Sequence, residues 1–433
     1  MNFFQIYDKI RMVFYYTAIL FFERRLIMDN KKKKKKSKWI KPRHTFFRNI
    51  LAPFLTLICK IKYHIKIKKC KEKRQLLVIS NHQTAFDQFF LGLAFKKHLY
   101  YVTNDDLFSN GFVSWLIDFL VKPIPIKKGT TDVKAVMDCK RVAKEGGSIA
   151  IFPEGNRTYS GKTGAIKDTI APFAKSLKLP IAIFHINGGY GVQPRWSDKT
   201  RCGKMTVGVT EIIEYESYKS LSDSELYKLI CDKLYIDENC VDIDYPSKRS
   251  AEYLERAMYY CPECNGFGNW ISKGQISTCQ KCGTEIRYLK TKEIEGVNKP
   301  FKYRFIGEWY NEQEGFIRSL DFSKYENTPI TSDVVDFYEV IPCKEKIKMG
   351  QGIKLSAYCD RFELDYGDKT EVYKFSDITA SGVLGKNKLN FYASKQIFQV
   401  KSDVHFNALK YVNIYYQSNN ILKGDMNNGF LGI

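Results

Sequence analysis

The stretch Gln75–Asp87, with the sequence QLLVISNHQTAFD, is where the fold of this chain can first be read. Residues 75–80 are a short and mostly apolar run, which favours a buried strand. A helical pattern of apolar residues resumes at 88–95, so His82 lies at the end of a strand and Asp87 in the first turn of a helix. On one continuous helix, side chains five positions apart would point about 140° away from each other. A turn between the two elements instead lets the Asp87 carboxylate reach the His82 imidazole.

A histidine that is oriented by a carboxylate is suited to general base catalysis. The bond to one ring nitrogen fixes the tautomer and stabilises the imidazolium that forms. No serine nucleophile is needed if the substrate supplies the hydroxyl that His82 deprotonates. Taken alone, a histidine and an aspartate at this spacing are also typical of an ordinary surface turn, so a second motif has to support the interpretation.

The second motif is FPEGNRT at residues 152–158, and it follows another apolar strand, Ser148–Phe152. Gly155 allows a sharp turn and a close approach of the backbone to a ligand. Arg157 offers a planar fork of charged donors, which suits a phosphate. By itself this segment could also be an ordinary loop at the end of a strand.

Together the two motifs resemble those of the glycerophospholipid acyltransferase superfamily, most closely the bacterial 1-acyl-sn-glycerol-3-phosphate acyltransferases. That family carries an N-H-x-x-x-x-D block and an F-P-E-G-x-R block some 65–75 residues later, and the resemblance here covers roughly residues 45–245. It implies that His82, oriented by Asp87, deprotonates a glycerol hydroxyl that attacks an acyl thioester directly. Neither an acyl-enzyme nor a cofactor for catalysis is expected.

The resemblance also implies an acceptor-binding set, with Glu154 and Gly155 in the second block and Arg157 on the acceptor phosphate. The family has an apolar stretch that ends in arginine, whereas residues 124–128 of this chain, IPIKK, end in lysines. Lys128 occupies the position of that arginine and could serve as a point charge for phosphate. A further F-K-x-G block and one of two later prolines of the family are missing here.

The surrounding pattern indicates an α/β acyltransferase domain, a mixed sheet flanked by helices. Residues 132–144 and 169–177 are predicted helices, and residues 180–186 and 205–213 are predicted strands. Alternation of strands and helices favours a sheet with helices packed on it.

Four cysteines near the middle of the chain form two C-x-x-C pairs that are separated by fourteen residues. This spacing resembles a zinc ribbon, in which four thiolates bind Zn²⁺ in a tetrahedron. Four protein ligands leave no open position, so we expect a structural metal. Iron in a rubredoxin-like knuckle and a redox dithiol are the alternatives. The ligands are Cys261, Cys264, Cys279 and Cys282.

Residues 300–433 have a different sequence pattern. It predicts one helix near Trp309, several short alternating strands and a final amphipathic helix after Phe406. This order resembles a pleckstrin-homology (PH) or GRAM-type barrel. The resemblance implies a lipid- or protein-interaction module, and a covering domain for the catalytic fold is the alternative.

The net charge of +22 admits a nucleic acid, an acidic membrane or a phosphorylated substrate as partner. Residues 1–74 contain 22 basic and 4 acidic side chains, including the run Lys31–Lys36, so most of the charge lies in an N-terminal arm. Residues 46–61 form a predicted amphipathic helix beside it. Since no apolar run reaches the roughly 20 residues of a membrane-spanning helix, we expect peripheral or monotopic binding to the cytoplasmic face of an acidic cell membrane. A helix packed on its own domain is the alternative, and nucleic acid is a minor one.

The sequence thus predicts four regions, namely a basic arm at 1–44, the acyltransferase domain at 45–245, the zinc ribbon at 255–295 and a β-rich domain at 300–433. The predicted reaction transfers an acyl group from acyl-CoA or acyl carrier protein to the sn-2 hydroxyl of 1-acylglycerol-3-phosphate, giving phosphatidic acid. Another lysolipid or a glycolipid is the alternative acceptor. A zinc-dependent scaffold that binds membrane or nucleic acid is the alternative of a different class.

Overall fold

The structure, a computed structural model, describes residues 38–104, 112–126, 132–267, 269–341, 345–425 and 429–430. The lysine run 31–36 and Lys128 lie outside these ranges. The described residues from Ile40 onward belong to one compact unit.

The first half of this unit is a mixed seven-stranded sheet with helices. Its helices are α1 (Pro42–Tyr63), α2 (Asp87–Ala94), α3 (Phe112–Leu120), α4 (Val133–Lys144), α5 (Ile170–Leu177), α6 (Gly189–Val192), α7 (Tyr215–Tyr218) and α8 (Asp223–Leu234). Its strands are β1 (Ile65–Ile67), β2 (Leu77–Ser80), β3 (Leu99–Asn104), β4 (Ile124–Ile126), β5 (Ser148–Ile151), β6 (Ile181–Asn187) and β7 (Met205–Ile213). The α/β prediction for this half, with a mixed sheet, is confirmed.

The strand order β1-β7-β6-β2-β5-β3-β4 puts β2 and β5 side by side, and the two strands run parallel. Both are buried along almost their whole length, as expected for central strands of hydrophobic sequence. Only the β6–β7 pair is antiparallel. Because parallel strands end at the same edge of a sheet, the turn after β2 and the loop after β5 meet there.

The cysteine-rich segment forms a small antiparallel sheet and a two-stranded hairpin. Its strands are β8 (Tyr260–Cys261), β9 (Gly266–Phe267), β10 (Trp270–Lys273), β11 (Ile276–Cys279), β12 (Glu285–Tyr288) and β13 (Ile294–Gly296). The hairpin is β8–β9 and the four-stranded sheet has the order β10-β11-β12-β13. Between the two cysteine pairs, β10 and β11 form an antiparallel hairpin.

The last third is β-rich, as predicted, and its seven strands form one antiparallel sheet of order β17-β16-β15-β14-β20-β19-β18. The elements are α9 (Ile306–Ser319), β14 (Thr331–Val340), β15 (Lys346–Ala357), β16 (Arg361–Asp365), β17 (Thr370–Lys374), β18 (Ile378–Leu384), β19 (Lys388–Ala393), β20 (Gln396–Lys401) and α10 (Leu409–Lys423). Helix α10 lies against β18, where the Tyr415 and Tyr416 hydroxyls donate to the carbonyls of Ile378 and Ser381. The resemblance to a PH or GRAM-type barrel stays a prediction.

One hydrophobic core joins the three parts of the chain. It contains Trp196 from the first half, Tyr288 from the cysteine-rich segment, and Trp309 and Tyr411 from the last third, all fully buried. The Trp196 ring contacts that of Tyr288 edge-on, with centroids 6.0 Å apart. The last third therefore shares its core with the α/β half, and the predicted domain boundaries stay predictions.

Helix α1 is apolar on two sides. Its inner side packs on the sheet domain through buried Cys59 and Tyr63. A second stripe faces outward, and its five residues are each at least 45% exposed. They are Phe46, Ile50, Phe54, Leu57 and Ile61. The spacing of apolar residues in the sequence does not distinguish this stripe from the half-buried positions beside it.

Candidate functional site

His82 and Asp87 lie in contact at the end of β2. The His82 Nδ1 is 2.7 Å from the Asp87 Oδ2. This contact exists because β2 ends at Ser80 and α2 begins at Asp87, so the chain turns back between them. The pair forms within one tight turn, as its sequence predicts.

The Asp87 carboxylate is fully buried, and the turn itself supplies its other hydrogen bonds. Its Oδ2 accepts bonds from the backbone N–H groups of Gln83 at 2.6 Å and Thr84 at 2.9 Å. Its Oδ1 accepts a bond from the Thr84 hydroxyl at 2.6 Å. With both oxygens bonded, the carboxylate has a fixed position from which to orient the imidazole.

The His82 imidazole keeps its second nitrogen available. No hydrogen bond from the described residues reaches Nε2, and the side chain is 20% exposed. The ring stacks on Phe152 of the second motif, with centroids 4.4 Å apart. Burial lowers the pKa of His82 below its usual 6.5, against the opposing effect of the hydrogen bond that the ring donates to Asp87, and the Arg157 and Arg195 charges lower it further. The imidazole is therefore neutral at neutral pH, the form that a general base requires.

Glu154 joins the two motifs. Its buried carboxylate accepts hydrogen bonds from the backbone N–H of His82 at 2.7 Å and of Gly164 at 2.6 Å. Burial raises the pKa of Glu154 to about 8, against these two bonds. Since both oxygens bind protein N–H groups, Glu154 positions the His82 turn from the loop after β5. The adjacent Gly155 has a φ of 67°, the left-handed conformation that favours glycine.

Arg157 lies at the same edge of the sheet as His82. Its Nη2 donates to the Gly385 carbonyl at 3.0 Å, and within the described ranges it forms no ion pair with a carboxylate. Burial lowers the pKa of Arg157 to about 10, and the neighbouring Arg195 lowers it further. The Arg157 side chain is only half-buried, and a partly desolvated guanidinium without a counter-charge favours an anionic ligand that can reach it from solvent.

Two groups beside the site are absent from the sequence prediction. Buried Arg195 donates to the Arg157 carbonyl at 2.9 Å. Buried Glu238 accepts a hydrogen bond from the Gln83 side chain at 3.1 Å, and it lies 3.7 Å from the buried Lys292 ammonium of the cysteine-rich segment. Neither residue carries a recognisable motif, and their partners are distant in the sequence, so no local pattern could indicate them.

The four predicted metal ligands come together. The Sγ atoms of Cys261, Cys264, Cys279 and Cys282 all lie within 4.8 Å of one another. Two of these pairs, Cys261–Cys282 and Cys264–Cys279, are separated by 3.8 Å. Thiolates about 2.3 Å from a tetrahedral zinc lie about 3.8 Å apart, so the spacing of these four residues fits the ion.

In the part of the chain that the structure describes, no helix is both long and apolar enough to cross a bilayer.

Comparison with known proteins gives matches over the α/β half. Residues 60–186 match the protein-family model Acyltransferase. A chloroplastic 1-acyl-sn-glycerol-3-phosphate acyltransferase of Brassica napus is 26% identical over 157 residues, 36% of this chain and 43% of that protein. A 1-acyl-sn-glycerol-3-phosphate acyltransferase of Pseudomonas aeruginosa is 24% identical over 171 residues, 39% of this chain and 66% of that protein. The chain thus spans less than two thirds of the length of these relatives.

Among solved structures, the chain is similar to the 1-acyl-sn-glycerophosphate acyltransferase of Thermotoga maritima. The TM-score is 0.41 at 20% sequence identity, over 53% of this chain and 90% of that one.

Proposed function

We propose, from the premise that residues 60–186 form a domain of the acyltransferase family, that this chain acylates 1-acylglycerol-3-phosphate at its sn-2 hydroxyl. The donor is an acyl thioester, either acyl-CoA or acyl carrier protein, and the product is phosphatidic acid. The match of residues 60–186 to the Acyltransferase family supports the predicted resemblance to glycerophospholipid acyltransferases. The named relatives act on the same acceptor, which supports this choice of substrate.

In the proposed reaction, the Nε2 of His82 takes the proton of the acceptor hydroxyl. The hydroxyl oxygen attacks the thioester carbonyl, the carbon–sulfur bond breaks, and the departing thiolate receives the proton from the His82 imidazolium. Asp87 orients the ring and stabilises its charged form between these two steps. Arg157 binds the acceptor phosphate, and Glu154 holds the His82 turn next to the Arg157 loop. Lys128 keeps its predicted role as a phosphate-binding charge.

One observation carries this proposal. An imidazole with a bonded Nδ1 and an available Nε2 lies at the same sheet edge as a half-buried arginine that has no carboxylate partner in the described ranges. The first group can take a proton from a hydroxyl, and the second favours a phosphate. An acceptor that carries both a hydroxyl and a phosphate matches the pair.

The test is incubation of the purified full chain with lysophosphatidic acid and labelled acyl-CoA or acyl carrier protein. Other lysophospholipids and glycolipids are offered in parallel. We expect labelled phosphatidic acid to be the main product. Label in a different lipid would contradict the acceptor, and no labelled lipid with any acceptor would contradict the activity.

We also propose that the chain binds the cytoplasmic face of an acidic membrane. The exposed apolar stripe of α1 lies close in sequence to Lys60, Lys62, Lys66 and Lys68, all of them exposed. Apolar residues can enter the headgroup boundary while each lysine near an acidic surface contributes about 1 kcal/mol. The arm at residues 1–44 adds charge to the same end of the chain.

Vesicle cosedimentation tests this docking. We expect Ile50→Ser with Leu57→Ser to weaken binding to phosphatidylglycerol vesicles by roughly tenfold. The control is Val133→Ser with Met137→Ser, which removes two equally exposed apolar side chains from α4. Equal loss of binding by both pairs would contradict a role for α1.

Two structural proposals complete the account. The four cysteines bind a structural Zn²⁺ that is not used in catalysis, since four thiolates leave no open position. The region 300–433 is a PH- or GRAM-type module, supported by its seven-stranded antiparallel sheet and the helix that packs on it.

A further inference from the structure

One hairpin of the last third reaches the loop of the second motif. Strands β18 and β19 are joined by a turn at Gly385, and the carbonyl of that glycine accepts the bond from the Arg157 Nη2 at 3.0 Å. On the same hairpin, the Lys386 ammonium is 2.6 Å from the Asp198 carboxylate, which lies in the segment between α6 and β7. The hairpin thus contacts the α/β half at the edge where His82 lies.

Arg195 connects the hairpin to the Arg157 loop. It is 2% exposed, and its Nη2 donates to the Val383 carbonyl of β18 at 2.8 Å and to the Asn156 Oδ1 at 3.1 Å. Its Nη1 donates to the Arg157 carbonyl at 2.9 Å. The guanidinium also lies over the Tyr159 ring, 4.2 Å from the centroid. The Arg195 side chain therefore bonds both to the hairpin and to the Arg157 loop.

Two guanidinium groups lie close together at this junction, since Arg157 and Arg195 both donate to the Gly385 carbonyl, at 3.0 and 3.4 Å. Arg195 is buried and Arg157 is half-buried, and in the described ranges neither side chain forms an ion pair with a carboxylate. The Gly385 carbonyl uses a single N–H of Arg157, and a guanidinium has five. The remaining donors of Arg157 can still bind an anion in a bidentate manner.

We propose that the β18–β19 hairpin is part of the acceptor site and that Arg195 is a positioning residue for it. By bonding to Asn156 and to Val383, Arg195 fixes the Arg157 loop against the hairpin, and the Gly385 carbonyl then sets the direction of the Arg157 guanidinium. Arg157, Arg195 and Gly385 together form what we call the Arg157 corner. The ligand that this corner recognises is the phosphate of the acceptor. The inference rests on the proposed function, and it gives the last third of the chain a part in substrate binding.

The experiment measures calorimetric binding of lysophosphatidic acid to the full chain without acyl donor, and separately the KM for acyl-CoA. We expect Arg195→Met to raise the Kd for lysophosphatidic acid by roughly tenfold and to leave the KM for acyl-CoA within about twofold. Lys386→Ala removes the contact with Asp198 from an accessible position, and we expect it to raise the same Kd by roughly two- to threefold. It provides a second test if Arg195→Met does not fold.

Arg201→Met is the matched control, because Arg201 is equally buried in the same segment but bonds to the Ser250 carbonyl instead. A purely structural role for Arg195 would make the two methionine variants behave alike, or would move both substrate constants together, and either result overturns the inference. An unchanged Kd in both Arg195→Met and Lys386→Ala overturns it as well. Binding that depends on Arg195 without any turnover by the wild type would contradict the proposed function alone.

Discussion

The His82 turn and the Arg157 corner lie at one edge of the sheet, but they are built differently. The turn takes the contacts of Asp87 from residues 82–84, all within five positions. The corner joins Arg157 to Arg195 and to Gly385, which is 228 positions away from Arg157. The proposed base is therefore oriented mainly by contacts within its own turn, whereas the proposed phosphate site depends on the packing of the last third of the chain. The two should respond differently to substitution.

The largest effect is expected in the local turn. Asp87→Asn removes the carboxylate that orients His82, and we expect kcat to fall by about 10³- to 10⁴-fold. The KM for lysophosphatidic acid should change by no more than about twofold, because Arg157 is untouched. Steady-state kinetics beside Asp138→Asn, an aspartate of α4 away from the site, provides the check. A rise in KM without loss of kcat would break the comparison.

The corner should give the opposite pattern. Arg157→Met removes charge-assisted hydrogen bonds worth about 1.5–3 kcal/mol each, so we expect the KM for lysophosphatidic acid to rise by roughly 10- to 100-fold. Most of kcat should remain at saturating acceptor. Arg157→Lys keeps a charge but loses the fork, and we expect an intermediate KM. If Arg157→Met lowered kcat as strongly as Asp87→Asn, the division between base and phosphate site would be wrong.

Loss of the metal tests how far the packing of the molecule depends on the four-cysteine cluster. The cysteine-rich segment reaches Gln83 through Lys292 and Glu238, and it shares its core with the rest of the unit. We expect Cys282→Ser to lose bound zinc and to lower Tm by on the order of ten degrees. Cys202→Ser, an exposed cysteine outside the cluster, should leave zinc content and Tm unchanged. Metal analysis and thermal unfolding of both variants decide, and equal Tm values would show that the cluster is not structural.

The smallest effect concerns pH. Since burial lowers the pKa of His82, most of the imidazole is still neutral at pH 6.5. The acid limb of kcat/KM should therefore have its midpoint below pH 6.5. Asp87→Asn removes a contribution that raises this pKa, so its limb should lie at still lower pH. A profile of kcat/KM from about pH 4 to 8 measures both. A midpoint above 6.5 would contradict the described environment of His82.

The same contrast explains how much could be predicted from the sequence. The strand, turn and helix at residues 75–95 follow from apolar spacing, and so does the contact between His82 and Asp87. The metal ligands can also be recognised locally, because each pair of cysteines lies in one short C-x-x-C segment. In the last third, alternation of apolar and polar residues predicts short strands such as β16 and β20, whereas β14 and β15 alternate poorly and do not follow from the sequence.

The remaining features depend on long-range packing. Arg195 has no local motif, and its partners Asn156 and Val383 come from two other segments. The outward stripe of α1 was not separated from its inner side, because both carry apolar residues and only the fold determines which side is covered. The resemblance implies acceptor binding for Glu154, a role that stays a prediction, and in the structure its carboxylate bonds to the His82 backbone. Lys128 lies outside the described residues, and its role stays a prediction.

The central claim is that His82 is the general base of an acyl transfer to lysophosphatidic acid. The most direct test compares the turnover of the wild type with that of His82→Ala, using saturating acyl thioester and lysophosphatidic acid and detecting phosphatidic acid. Our account predicts product from the wild type and a fall in kcat of at least about 10²-fold in the variant, with the Kd for lysophosphatidic acid within about twofold. Equal turnover by the two proteins would contradict it.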